Sequence, residues 1–351
     1  MKKYNFLSDY NEGCHPNILK ALEKTNLEPQ LGYGEDKYSL RAKELLKKKM
    51  ENSTVDIYFI SGGTQVNLIV ASSILKPYES VITASSSHIV NNEAGAIEMT
   101  GHKVNTIHTD TGKITKEDIH IVLNNHMSYP HTVKPKIVYI SNATEMGTIY
   151  DKQELKQLYT FCKEKELYLF LDGARIGNAL CNKESMLTLR DISKYTDIFY
   201  IGATKNGALL GEAIVVNNDK LKKNFVVNIK QRGALLAKGR LLGIQFIELF
   251  KEDLFYHLAM HANLMSTKIR NNLKELGYSL LTDANSNLLF PILPIKLIEL
   301  LEKKYSFYRW KVIDKEYLVI RLVTSWATEE KNVDDFINDI QEFNNECLKE
   351  N

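Results

Sequence analysis

The sequence predicts an α/β protein: a mostly parallel, doubly wound sheet followed by a smaller α+β domain. Two observations carry that prediction. From Ile57 to Val216, apolar runs of strand length alternate with longer amphipathic stretches, the β-α-β-α order of a sheet covered by helices on both faces. Past roughly residue 255 the order turns to helix, short strands, helix and paired strands, a separate α+β arrangement.

Strands are expected at Ile57–Ile60, Ser80–Thr83, Lys103–Ile107, Lys136–Ile140, Leu167–Leu171, Asp197–Ile201 and Glu212–Val216. Most are continuously apolar rather than alternating, as strands buried on both faces must be. Helical patterns lie at Ser39–Met50, Gln65–Leu75 and Asp151–Lys165. The lysines within Leu45–Met50 read as the solvated face of the first helix. In the C-terminal part a polar helix is expected around His261–Leu276, then strands at Tyr278–Leu281 and Asn287–Leu293. A helix at Ile295–Lys304, strands near Trp310–Val312 and Tyr317–Val323, and a last helix from Glu329 complete the chain.

The 351 residues are 44% hydrophobic and 25% charged, ordinary for a globular protein with a sizeable core. Forty-five basic against 43 acidic residues leave a formal charge of +2, which is no field to recruit nucleic acid or an anionic membrane. Cys14, Cys162, Cys181 and Cys347 are scattered, with no CxxC pair. That reads as reduced thiols in a cytoplasmic protein, with neither a disulfide framework nor a metal site. The opening residues show no apolar h-region, so no signal peptide is expected. The longest greasy stretch, Leu288–Leu301, is broken by Pro291, Pro294 and Lys296; it is too short to span a bilayer.

In an open α/β sheet, function gathers in the loops after the carboxyl ends of strands. Four candidates sit there. Ser61-Gly62-Gly63-Thr64-Gln65 follows a strand and opens a helix; its glycines and free N–H groups suit a phosphate, although many such turns bind nothing. Ser85-Ser86-Ser87-His88 follows the next strand. His88 could stack on an aromatic ligand or move protons, or simply lie at the core edge. Leu171-Asp172-Gly173-Ala174-Arg175 ends a buried strand in a carboxylate, costly without a partner; metal ligation and a structural cap are its competing readings. Lys205, in Gly202-Ala203-Thr204-Lys205-Asn206-Gly207, stands in a small-residue loop one connection later. A fifth candidate, Arg321, is flanked by apolar strand residues in the C-terminal part; it fits bidentate capture of a carboxylate or a structural ion pair.

Lysine and aspartate at neighbouring strand ends are the pair that pyridoxal phosphate chemistry needs. The amine forms a Schiff base with the cofactor, and the carboxylate keeps the pyridine nitrogen protonated so that the ring absorbs carbanion electrons. A phosphate cradle and a stacking group complete the set.

In this light the sequence resembles the low-specificity threonine aldolase and β-eliminating lyase branch of the fold-type-I PLP enzymes, over nearly its whole length. The matching stretches are Phe6-Leu-Ser-Asp-Tyr-Asn-Glu-Gly-Cys-His-Pro16, Tyr33-Gly-Glu-Asp-Lys-Tyr38, Gly63-Thr64 with Asn67, and His88 with Glu93-Ala-Gly-Ala96. Leu171-Asp-Gly-Ala-Arg175, Thr204-Lys205 and Arg321-Leu-Val-Thr324 match as well. The resemblance implies a fold-type-I PLP transferase-like fold: residues 1–30 join the small domain, 31–255 form the large PLP-binding domain, and 256–351 form the small one. It implies Lys205 as the Schiff-base lysine, Asp172 on the pyridine nitrogen, and His88 stacked on the ring. Gly63, Thr64 and Gln65 would hold the phosphate, with Thr204 beside the lysine. Ser8, Arg175 and Arg321 would bind the substrate carboxylate. Tyr33 would reach in from a neighbouring subunit of a homodimer or homotetramer with shared active sites.

Three stretches depart from the family pattern. Ser141-Asn142-Ala143-Thr144-Glu145-Met146 stands where a histidine-containing segment handles the substrate's β-hydroxyl. Asn92 replaces a tyrosine. Arg232 to Arg240 replaces the segment that reaches the phosphate from the partner subunit, with Lys238 or Arg232 as substitutes, although lysine holds phosphate as a point charge. The implied activity is cleavage of β-hydroxy-α-amino acids such as threonine to glycine and an aldehyde, with His88, Glu93, or a water held near Thr144 and Glu145 as the base. β-Elimination, racemisation or transamination of another small amino acid is the alternative, and a non-catalytic PLP-binding protein the third reading.

Overall fold

The inner strands of the large sheet divide their side chains between two apolar layers, which is why most of their sequence is apolar. In a computed structural model that describes residues 3–128 and 130–350, with backbone alone for 347–350, the chain forms thirteen strands. They are β1 (Tyr4–Asn5), β2 (Asp56–Ile60), β3 (Glu79–Ala84), β4 (Val104–Ile107), β5 (Lys134–Ser141), β6 (Tyr168–Asp172) and β7 (Ile198–Gly202). β8 (Glu212–Val216), β9 (Leu288–Leu289), β10 (Ile292–Pro294), β11 (Tyr305–Ser306), β12 (Tyr308–Val312) and β13 (Tyr317–Val323) follow. Cys347, expected as a reduced thiol, has its side chain outside the described residues.

The seven-stranded sheet runs β2-β8-β7-β6-β5-β3-β4. Every pairing is parallel except those of β8, which lies antiparallel to both β2 and β7. Along β7, Phe199 and Ile201 enter one core, with Val138, Ile140, Leu169 and Leu171. Ile198 and Tyr200 enter the other, with Ile137, Tyr139 and Phe170. This is the doubly wound sheet that the sequence predicts.

The single reversal has a consequence for function. All strands but β8 point their carboxyl ends to one edge, and β8 begins at that edge, with Glu212 in register with Ile60 and Gly202. The loops after β2, β3, β5, β6 and β7 and the first residue of β8 therefore converge.

The expected helices form, shifted by a few residues. The lysine-rich one spans Lys37–Met50, capped by the Asp36 carboxylate on Ser39 N–H at 2.7 Å, a contact worth about 1 kcal/mol. Ala42, Leu46 and Met50 face the core while Lys48 faces water. Gly63–Ile74 follows β2 and Lys152–Glu164 precedes β6.

The C-terminal part builds a third core on β10, β13 and β12, with β9 beside β13. Phe6 belongs to that core, and β1 pairs in parallel with β11. The polar helix begins earlier than expected, at Leu254, and runs to Glu275. The strand expected at Tyr278–Leu281 is reduced to one bridge, Leu280 to Pro291. The helix after Pro294 stops at Leu301 rather than Lys304. No helix among the described residues is long and apolar enough to cross a membrane.

Candidate active site

The converging loops enclose a cavity of about 260 Å³. Lys205 reaches it from the loop after β7. Burial, and then the nearby charge of Arg175, hold its amine below the ordinary lysine range. Its Nζ makes no hydrogen bond or ion pair among the described residues; the ring of Tyr10 lies 6.0 Å away. A buried amine of lowered basicity, free of acceptors, is a nucleophile in waiting.

Asp172 ends β6 beside it, 4% exposed. Tyr139 and Tyr200 donate their hydroxyls to its two oxygens, the latter at 2.5 Å, and Ala174 N–H donates at 2.9 Å. Burial, and after it the Asp172 charge, raise both phenols well above their usual range, so they stay protonated and keep donating. Asp172 is thus held by three donors, one of them the backbone N–H two residues on. Among the described residues no cluster of histidine, cysteine and carboxylate side chains could hold a metal ion.

Two glycines let the lysine and aspartate loops meet. Gly202 N–H donates to Gly173 O at 2.9 Å, and a Cβ on Gly173 would lie 1.8 Å from Tyr200 O.

Gly62 caps the helix Gly63–Ile74 without any side-chain cap, so N–H groups of the first turn stay available. Gly62 and Gly63 line the cavity, and a Cβ on Gly62 would meet open space. His88 lines the opposite part, its Nδ1 2.7 Å from Glu93 Oε1, which also accepts from Asn67 Nδ2 at 2.7 Å. Glu212 sits across from Lys205. It accepts from Thr204 Oγ1 at 2.7 Å and Ala203 N–H at 3.2 Å, and burial pushes its carboxyl up to about 8. These residues fit pyridoxal phosphate: an unpartnered amine, a fully donated carboxylate, a flat-faced histidine and an uncapped helix start share one cavity.

The sequence matches the model of the beta-eliminating lyase family over residues 5–293. The chain belongs to the beta-eliminating lyase family. It is 32% identical over 344 residues to a low specificity L-threonine aldolase of a Pseudomonas species, covering 96% of each chain. A solved Leishmania major threonine aldolase is 46% identical, with a TM-score of 0.95 over 97% of this chain and 99% of that one. A mutant aspartate aminotransferase of Thermus thermophilus, 16% identical, superposes with a TM-score of 0.71 over 96% of this chain and 91% of that one, a likeness of fold alone. The fold is fold-type-I PLP transferase-like, as the sequence predicts.

In this chain, Gly63, Thr64, His88, Asp172, Arg175, Thr204 and Lys205 share the cavity. Others are placed differently. Gln65 turns aside: its Oε1 accepts from Ser61 Oγ at 2.7 Å and its Nε2 donates to Arg232 O at 3.3 Å. Ser8 donates to Asn11 Oδ1. Arg175 lines the cavity, but its Nε and Nη2 are engaged by Asp9. Arg321 has no ion pair among the described residues; its guanidinium lies 5.7 Å from the Tyr308 ring and 5.8 Å from the Trp310 ring. Burial and the Arg175 charge lower its pKa. The structural ion pair that the sequence allows for Arg321 is thus made by Arg175 instead.

Lys238 lies in a separate groove with Leu22, Thr25 and Arg240. Tyr33 is half exposed, with Lys230 Nζ 4.5 Å from its ring. Thr144 is turned inward onto Thr148 Oγ1 and Thr111 O, whereas Glu145 faces the cavity.

Sequence reasoning missed Asp9, Tyr139, Tyr200 and Glu212. The tyrosines read as strand filler. Only the antiparallel setting of β8 brings Glu212 to the site, and strand direction leaves no mark in an apolar run.

Proposed function

We propose that this chain is a PLP-dependent carbon–carbon lyase that cleaves β-hydroxy-α-amino acids, such as threonine and allo-threonine, to glycine and an aldehyde. The observation that carries the reading is the free, buried Lys205 amine facing the same cavity as the triply donated Asp172. The threonine aldolases matched over almost the whole chain support the substrate class.

Pyridoxal phosphate, bound here, would supply the sink for the electron pair left at Cα when Cα–Cβ breaks. The chain's own groups do the rest. Lys205 would hold the cofactor through its unpartnered amine, which burial keeps ready to act as a nucleophile. Asp172, fixed by two phenols, would keep the cofactor's pyridine nitrogen protonated. The uncapped helix start at Gly63 and Thr64 would receive the phosphate, Thr204 fixes the lysine loop through Glu212, and His88 would supply a flat face for the cofactor. Arg321, which makes no ion pair among the described residues, would take the substrate carboxylate, with Arg175 at the cavity wall, and so orient the bond to be broken.

Tyr33 and Lys238 lie outside this chain's own cavity, which supports a homodimer or homotetramer in which they serve a neighbour's site. A cytoplasmic setting accords with the scattered thiols. Glycine and acetaldehyde formed from L-threonine with added PLP, and their loss in Lys205→Ala, test the proposal; equal turnover by the two proteins contradicts it.

The histidine-free loop 141–146 favours a second reading, in which the same lysine and aspartate serve β-elimination, racemisation or transamination. Pyruvate and ammonia from L-serine at a higher kcat/KM than threonine cleavage would select it.

A further inference from the structure

Four carboxyl side chains line the cavity: Asp172, Glu212, Glu93 and Glu145. Three have no oxygen to offer a substrate. Asp172 accepts two phenols and an amide. Glu212 accepts Thr204 Oγ1 on one oxygen and Ala203 N–H on the other. Glu93 accepts His88 and Asn67 on Oε1, and its Oε2 is buried without a partner.

Glu145 differs. Its Oε1 is pinned by the Ser141 hydroxyl at 2.8 Å and by the His88 backbone N–H at 3.0 Å. Its Oε2 accepts no hydrogen bond from any other described residue and is not among the sealed atoms. Oε1 fixes the side chain at the cavity wall, so the carboxyl is positioned before a substrate arrives.

We propose that Glu145 Oε2 is the acceptor of the substrate's β-hydroxyl proton. The assignment rests on the aldolase reading above and gives the role to Glu145 itself, where the sequence leaves open His88, Glu93 or a water held near Thr144 and Glu145. In the step, the O–H bond electrons become the second bond of the aldehyde carbonyl. The Cα–Cβ pair stays with Cα, and the proton moves to Oε2. The aldehyde departs, Cα takes up one proton to give glycine, and Glu145 releases one, so the overall proton count is unchanged.

The surroundings suit the task. Burial, then the charge of Asp172, raise the Glu145 carboxyl above the ordinary carboxylate range, toward the operating pH at which a base is most effective. Arg175, Tyr139 and Tyr150 are the other charged or titratable groups that sense it, with His88 beside it. Arg175 is the one cation in the set, and Asp9 holds its fork.

The test compares the PLP-loaded parent with Glu145→Gln, which keeps an Oε1 acceptor for Ser141 and His88, and with Glu145→Asp. Three quantities are read: threonine cleavage across pH, deuterium exchange at glycine Cα, and the protonated-carboxyl bands in pH-difference infrared spectra. Expected for Glu145→Gln is a fall in kcat of roughly a hundredfold or more, loss of the acid limb of the kcat profile, and loss of one infrared band. Glycine exchange, which involves no β-hydroxyl, continues at the parent rate, and Glu145→Asp recovers part of the cleavage. Cleavage by Glu145→Gln at the parent rate with the same acid limb overturns the assignment. So does a fall in glycine exchange matching the fall in cleavage, which would mark a structural role. A parent that cleaves no β-hydroxy-amino acid overturns the aldolase reading itself, and the assignment with it.

Discussion

Arg175 donates from Nε and Nη2 to the two oxygens of Asp9, at 2.7 and 3.0 Å, and the pair is nearly sealed from water, its side chains 10% and 1% exposed. The contact joins the segment after Phe6 to the loop after β6, and Asn287 Nδ2 adds a third donor to Asp9 at 2.9 Å. It thus ties the N-terminal segment, the large sheet and the C-terminal part together at the wall of the cavity.

Removing one member leaves the other charge buried alone. Asp9→Asn is expected to cost about 3–5 kcal/mol of stability, read by urea denaturation at neutral pH. The Asp9 carboxyl lies below its ordinary range because, although burial pushes it up, the Arg175 and Lys205 charges and the Arg175 and Asn287 hydrogen bonds outweigh burial. A folded-state pKa lowered in this way gives stability above the unfolded value, lost as pH falls through the folded one. The parent should therefore lose stability below about pH 4 more steeply than Asp9→Asn.

Gly173→Ala tests the approach of the lysine and aspartate loops. Its Cβ would sit 1.8 Å from Tyr200 O, and backbone does not yield as a side-chain tip does. A loss of at least ~1–3 kcal/mol is expected, and with it weaker PLP affinity, because Asp172 and Lys205 are pushed apart. Thermal melting and PLP titration read the two effects.

Glu212 gives a pH signature of opposite sign to Asp9. Its carboxyl is raised to about 8 by burial, so between the unfolded value and that pH the folded chain holds a proton that the unfolded chain has lost. Stability then falls as pH rises through this window. Glu212→Gln, neutral throughout, should flatten the fall, most visibly near pH 8, in denaturation of the cofactor-free chain.

Much of this site is legible in the sequence. Lys205, Asp172, His88 and the Gly63-Thr64 turn all follow strands whose carboxyl ends share one edge of the sheet, and mostly apolar runs reveal such strands together with the loops that end them. Tyr4–Asn5 was not legible, because two residues carry no periodicity and pair only through the distant Tyr305–Ser306. Asp9 gives no sign of a partner in the sequence, because Arg175 lies far along the chain and is brought to it only by the fold. Arg175 and Arg321 look interchangeable in sequence; the bidentate hold of Asp9 on the former separates them.

The most direct measurement is borohydride reduction of the PLP-loaded protein followed by peptide mass mapping. Reduction should fix one cofactor per chain on the peptide carrying Lys205, and bleach the visible absorbance of the loaded protein. A label on any other lysine, or no label on a chain that nevertheless cleaves threonine, would contradict the account.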